Sequence, residues 1–281
     1  MARAVRYDWH VHDEDYDDEP TLARPRDEAI DAAAPRILQI FNDAPTRVFY
    51  STQIETQLER DIFHWITNKA LLELGNAGKI QRMPAVVQGK SVNFYAHPKY
   101  RYWKREQKQL QALLERIFDP EFTHAIGRHA EMMFDSALSR HGFMIKDKDA
   151  KNWEGAAWTK TNHNLDRIVV RDGIAYGIEI KNTQNYIQRP ELDLKLDLCK
   201  HLGLTPLFIM RYAPKSYMHN IATTYRGFGL IFEEQIYPFG HSALLTEVRE
   251  KLGLKVQSPR DIKDGDMQRL VNWHNKRAKK T

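Results

Sequence analysis

The spacing of apolar residues changes period along the chain, and the change predicts the element order. Glu121 to His141 carries apolar residues at helical intervals and stops at Gly142, which predicts a helix. Phe143 to Lys146 predicts a short strand, and residues 147–163 a polar loop. Two runs of β-formers then flank Asp172-Gly173, which predicts a tight hairpin. Pro190 opens a helical stretch through His201, ended by Gly203, and Leu207 to Tyr212 is an apolar strand. A helical stretch from Ser216 to Tyr225, a strand from Gly229 to Phe232 and a helix from Ser242 to Leu252 follow. The order α-β-β-β-α-β within residues 121–256 predicts an α/β domain, a mixed β-sheet flanked by helices.

Residues 31–98 have a different texture. Ile37, Leu38, Ile40 and Phe41 have helical spacing, Ser51 suits the start of a short helix through Leu58, and Ile62 to Leu74 forms a wide apolar stripe. Lys79–Met83 and Ser91–Tyr95 flank a polar turn at Gln88-Gly89-Lys90, as a two-stranded wing would. Three helices and a hairpin resemble a winged helix-turn-helix. Its third helix is expected to present Arg60, His64, Thr67, Asn68 and Lys69 outward, types that touch phosphates and base edges. Residues 99–120 read as an amphipathic connecting helix, with Asp119-Pro120 at the boundary to the next domain.

Charge sharpens the picture. The chain carries 42 basic and 37 acidic residues, for a net charge of +5. Residues 1–30 hold four arginines and nine acids, so this acidic segment reads as a disordered tail and the body is more basic than the total. Residues 257–281 read as a basic C-terminal tail. A basic body suits a polyanion such as DNA. No apolar run is long enough to span a bilayer, no signal-like segment opens the chain, and Cys199 is the one cysteine. Those features point to a cytoplasmic protein without a membrane partner.

The hairpin carries the candidate chemistry. A two-residue Asp172-Gly173 loop sets Arg171 opposite Ile174, and counting back sets Ile168 opposite Gly177 and Asp166 opposite Glu179. Strand side chains alternate, so Asp166, Glu179 and Lys181 are expected on one face, with Gly177 and Ala175 leaving room for a substrate backbone. Facing carboxylates repel unless a cation neutralises them, and Mg²⁺ takes a few carboxylates plus water and phosphate. Other acid-x-Lys pairs are weaker: Glu106/Lys108 and Asp193/Lys195 fall in helical stretches, where i and i+2 do not share a face, and Asp149/Lys151 and Asp261/Lys263 fall in polar ones.

Asp166 followed by Glu179-Ile180-Lys181, on this element order, resembles the PD-(D/E)XK nuclease superfamily with its restriction-endonuclease-like fold; Leu165 stands where the motif has proline. The resemblance covers roughly residues 121–235. It implies a DNA endonuclease using Mg²⁺, or Mn²⁺ in its place, held by Asp166, Glu179, Ile180 and Glu131, with Lys181 assisting attack. Gln184 and Arg211 are further candidates for phosphate contact. Cutting both strands commonly calls for two active sites, which a homodimer would supply. The competing expectation is a non-catalytic DNA-binding regulator built on a nuclease-like scaffold.

Overall fold

The computed structural model describes residues 28–279 and divides them into two compact units at Asp119/Pro120. The acidic segment expected over residues 1–30 lies almost wholly outside the described residues. Among the described residues no helix is long and apolar enough to cross a membrane.

The first unit runs α1 (Glu28–Asp43), β1 (Val48–Tyr50), α2 (Ser51–Leu58), α3 (His64–Asn76), β2 (Gln81–Val87), β3 (Lys90–Ala96) and α4 (Trp103–Ile117). Its antiparallel sheet has the order β1-β3-β2. Gln88 and Gly89 have φ of 50° and 76°, the paired positive values of a tight hairpin turn. Ile37, Phe41, Ile54, Leu71 and Tyr95 form the core. Two expectations are corrected. His64 and Thr67 do not face outward: both are buried, and His64 Nε2 lies 3.2 Å from Glu59 Oε2. The helix expected to connect the domains instead belongs to the first unit. Leu110, Leu113, Leu114 and Ile117 bury its apolar stripe, because a helix that is strongly apolar on one side must cover that side.

The second unit runs α5 (Pro120–Arg140), β4 (Met144–Ala150), β5 (Asn152–Trp153), β6 (Ala156–Ala157), β7 (Leu165–Arg171), β8 (Ile174–Lys181), α6 (Arg189–His201), β9 (Thr205–Met210), α7 (Lys215–Thr223), β10 (Phe228–Ile231), β11 (Gln235–Ile236), α8 (Ser242–Glu247), β12 (Val256–Gln257) and α9 (Asp264–Ala278). Five strands form one mixed sheet in the order β10-β9-β8-β7-β4, parallel at β8/β9 and β9/β10 and antiparallel elsewhere. The unit is therefore α/β. Val169, Tyr176, Ile178 and Leu207 pack on one face with Phe134 and Leu138 of α5 and Met267 and Leu270 of α9. Ile168 packs on the other face with Leu198 and Cys199 of α6, and Phe208 and Met210 pack there with Leu192, Leu196 and Ile221.

Helix α9 corrects the expected tail at 257–281. Its basic residues mask a buried stripe. Met267, Leu270 and His274 are each 0% exposed, and His274 bridges Tyr176 Oη at 2.6 Å and Asp172 Oδ2 at 2.8 Å. Leu270→Ala is therefore expected to destabilise the protein by about 2–5 kcal/mol in urea unfolding, as loss of a core leucine does; a solvated tail would register no change.

Candidate functional site

The site begins with a turn. Asp172 and Gly173 have φ of 48° and 76°, so the loop has two residues and the register follows: Arg171 pairs with Ile174, Val170 with Ala175, Ile168 with Gly177 and Arg167 with Ile178. Past Arg167 the ladder gives way. Asp166 does not simply face Glu179 across a paired rung; its Oδ2 accepts the Ile180 N–H at 2.6 Å, a bond a main-chain carbonyl would otherwise take. The chain is held there by Arg167, whose Nη1 donates to the Asp166 carbonyl at 2.5 Å.

Glu179 and Lys181 point from β8 toward α6, and α6 meets them with matched spacing. Lys195 Nζ lies 2.6 Å from Glu179 Oε2, and Lys181 Nζ lies 3.3 Å from Glu179 Oε1 and 2.7 Å from Glu191 Oε1. Cys199 Sγ sits over the Gly177 carbonyl. Four helix residues rise about 6 Å and two strand residues about 6.6 Å, so Glu191, Lys195 and Cys199 track Lys181, Glu179 and Gly177 in turn. Gly177 makes this approach possible. A Cβ there would stand 2.7 Å from both Cys199 Sγ and Leu165 Cδ1, so the small residue admits the helix, not the substrate backbone expected from sequence.

Glu131 reaches the same end of the sheet from α5, but Arg167 engages it. Arg167 is buried, with Nη2 at 2.9 Å from Glu131 Oε2 and Nε at 2.8 Å from Asp135 Oδ1, and Lys148 Nζ lies 3.0 Å from Asp135 Oδ2. Four groups here were not singled out from the sequence: Lys195, Glu191, Arg167 and Asp135. In sequence Lys195 reads as half of a helical acid-x-Lys pair. The signal that finds it is the i, i+4, i+8 series Glu191, Lys195, Cys199 set against the i, i+2, i+4 series on β8.

Other candidates fall elsewhere. Arg211 is 2% exposed and donates from Nε to the Thr183 carbonyl at 2.9 Å and from Nη2 to the Gln184 carbonyl. It clamps the loop after Lys181 and cannot present itself to a phosphate. Gln184 is half-buried and its Nε2 donates to Gln235 Oε1 at 2.9 Å. Arg60 and Lys69 are exposed and Asn68 is half-buried in the first unit.

The electrostatics are uneven. Burial, then repulsion from Glu179, pushes the Asp166 carboxyl up to about 8, against the pull of Lys195 and the Ile180 N–H. Burial alone would lower Lys181, but Glu179 and Glu191 more than offset it and the ammonium is held above its ordinary range. At neutral pH Lys181 is thus a fixed positive charge, and Asp166 keeps its proton. Among the described residues no group of three or more His, Cys, Asp or Glu is assembled as a metal cage. The carboxylates are instead divided among cations: Glu179 to Lys195 and Lys181, Glu191 to Lys181, Glu131 to Arg167.

A raised carboxyl pKa weakens the fold as pH rises. The penalty is absent below about 4, grows as Asp166 is forced to ionise, and is complete above about 8. Asp166→Asn keeps an acceptor for Ile180 and removes the charge. In EDTA its Tm is expected to match wild type near pH 4 and exceed it by about 3 °C or more at pH 8.5. A gap that shrinks with rising pH would contradict this reading.

No family model, curated protein or solved structure matches the chain.

Proposed function

We propose that the second unit is a metal-dependent DNA endonuclease with a restriction-endonuclease-like PD-(D/E)XK core, and that the first is a winged helix that engages DNA. The observation that carries this reading is the desolvated Asp166 carboxyl beside the buried Glu179, with Lys181 two residues on and ion-paired to Glu179. Two nearby carboxyl groups, one retaining its proton through burial and the repulsion of the other, are a donor set that a divalent cation completes. Mg²⁺ asks for one or two carboxylates and takes water and substrate phosphate for the rest, so these residues fit it without a third acid. Asp166 and Glu179 would hold it, with Glu131 behind Arg167 as an outer partner. When bound, such a cation supplies Lewis acidity and a more acidic water.

The chain's own groups supply the remainder. Lys181 stays protonated, so it acts as positive charge beside the developing oxyanion and not as a base. Arg211 fixes the strand exit that aims it: the Arg211 N–H donates to the Lys181 carbonyl at 3.0 Å while its side chain holds Thr183 and Gln184. The element order α5-β4-β7-β8-α6-β9, set aside the small β5–β6 hairpin, supports the same core. In the first unit, the order α1-β1-α2-α3-β2-β3 supports a winged helix, with Arg60 and Lys69 exposed for phosphates.

A second reading has its own support. Both oxygens of Glu179 are engaged by lysines, as in a scaffold that binds DNA and cuts nothing. Incubation of the full chain with linear, nicked, flapped and four-way DNA separates the two. Cleavage is expected with Mg²⁺ or Mn²⁺ and none in EDTA, and Lys181→Met is expected to lower the rate by about 10²-fold or more while DNA binding persists. DNA binding with no cut by wild type under either metal would establish the regulator instead.

A further inference from the structure

Glu179 is 2% exposed, and its Oε2 is capped at 2.6 Å by Lys195 Nζ. Lys195 is itself 5% exposed and is anchored by a second bond, Nζ to the Asn164 carbonyl at 2.5 Å. The two lysines at this carboxylate are not equivalent. Lys181 has another carboxylate to hold it, Glu191 at 2.7 Å, whereas the second partner of Lys195 is a neutral carbonyl. A metal ion bonds a carboxylate oxygen at about 2.0–2.1 Å, inside the position an ammonium at ion-pair distance occupies. The two cations therefore compete for one oxygen. Lysine is suited to yield, since its charge sits on a flexible four-carbon stem.

Building on the metal-dependent reading above, we propose that Lys195 is the resident counter-ion of this site: it neutralises Glu179 in the metal-free protein and is displaced when a divalent cation binds. The arrangement explains why a buried carboxylate is tolerated before metal arrives, since an unpaired buried charge is strongly destabilising. It also explains why no metal cage is preassembled among the described residues. Lys195 is thus a gate on metal loading, and the site exchanges one positive charge for two.

Two measurements on the full chain test this. In the first, Mn²⁺ binding is followed by calorimetry for wild type and Lys195→Met, which keeps a helix-compatible, similarly sized side chain without the charge. The variant is expected to melt lower in EDTA and to bind Mn²⁺ about tenfold more tightly, because the competitor is gone. In the second, wild-type Lys195 is probed by reductive methylation and mass spectrometry, which needs no variant to fold. Its labelling is expected to be slow in EDTA and several-fold faster with Mg²⁺. Equal or weaker Mn²⁺ affinity in a folded Lys195→Met, or Mg²⁺ that binds without raising Lys195 labelling, overturns the proposal and leaves the nuclease reading standing. A wild-type chain that takes up neither ion at about 10 mM overturns both.

Discussion

The second unit is organised around one buried carboxylate. Glu179 sits in the central strand β8, almost without solvent, and a charge there is tolerable only because ammonium groups meet both of its oxygens. That requirement fixes how α6 lies. The helix must bring Lys195 to Glu179, and it can do so only if the strand has no side chain at 177, where Cys199 and Leu165 fill the space. A glycine, a glutamate and a lysine at alternate strand positions thus match a cysteine, a lysine and a glutamate at every fourth helix position. The close approach of the helix and the polarity of the site follow from the same six residues.

Asp166 is the complementary element. Burial, then repulsion from Glu179, keeps a proton on its carboxyl near neutrality, against the pull of Lys195 and the Ile180 N–H. The same end of the sheet also holds Lys181 and Arg167. Under the proposed reading a divalent cation displaces the Asp166 proton, and the protonated Lys181 remains to face a phosphodiester. Under the same reading the basic body of the chain adds long-range attraction for a polyanionic substrate.

Much of this was legible in residue order, for identifiable reasons. The Asp172-Gly173 turn dictates register by sterics alone, so the pairing of β7 with β8 could be counted from sequence. The alternation of helix and strand in residues 121–256 gave the mixed, helix-flanked sheet. What was missed depends on contacts distant in sequence. Lys195 looks like one of several acid-x-Lys pairs until α6 is laid against β8. Arg211 looks like a free cation at a strand exit, and only the fold reveals that it is wrapped by the carbonyls of 183 and 184. Helix α9 looks like a basic tail because its charged residues outnumber the Met267–Leu270–His274 stripe that sinks into the core. His64 reads as outward by type, but it is buried beside Glu55 and Glu59.

Binding of a divalent cation by Asp166 and Glu179 together, as proposed, is open to anomalous diffraction from crystals grown with Mn²⁺. A peak is expected at about 2.0–2.3 Å from a carboxylate oxygen of each residue, with Lys195 moved off Glu179. A Mn²⁺ peak located elsewhere, with Glu179 still bound to Lys195 at saturating metal, would contradict it.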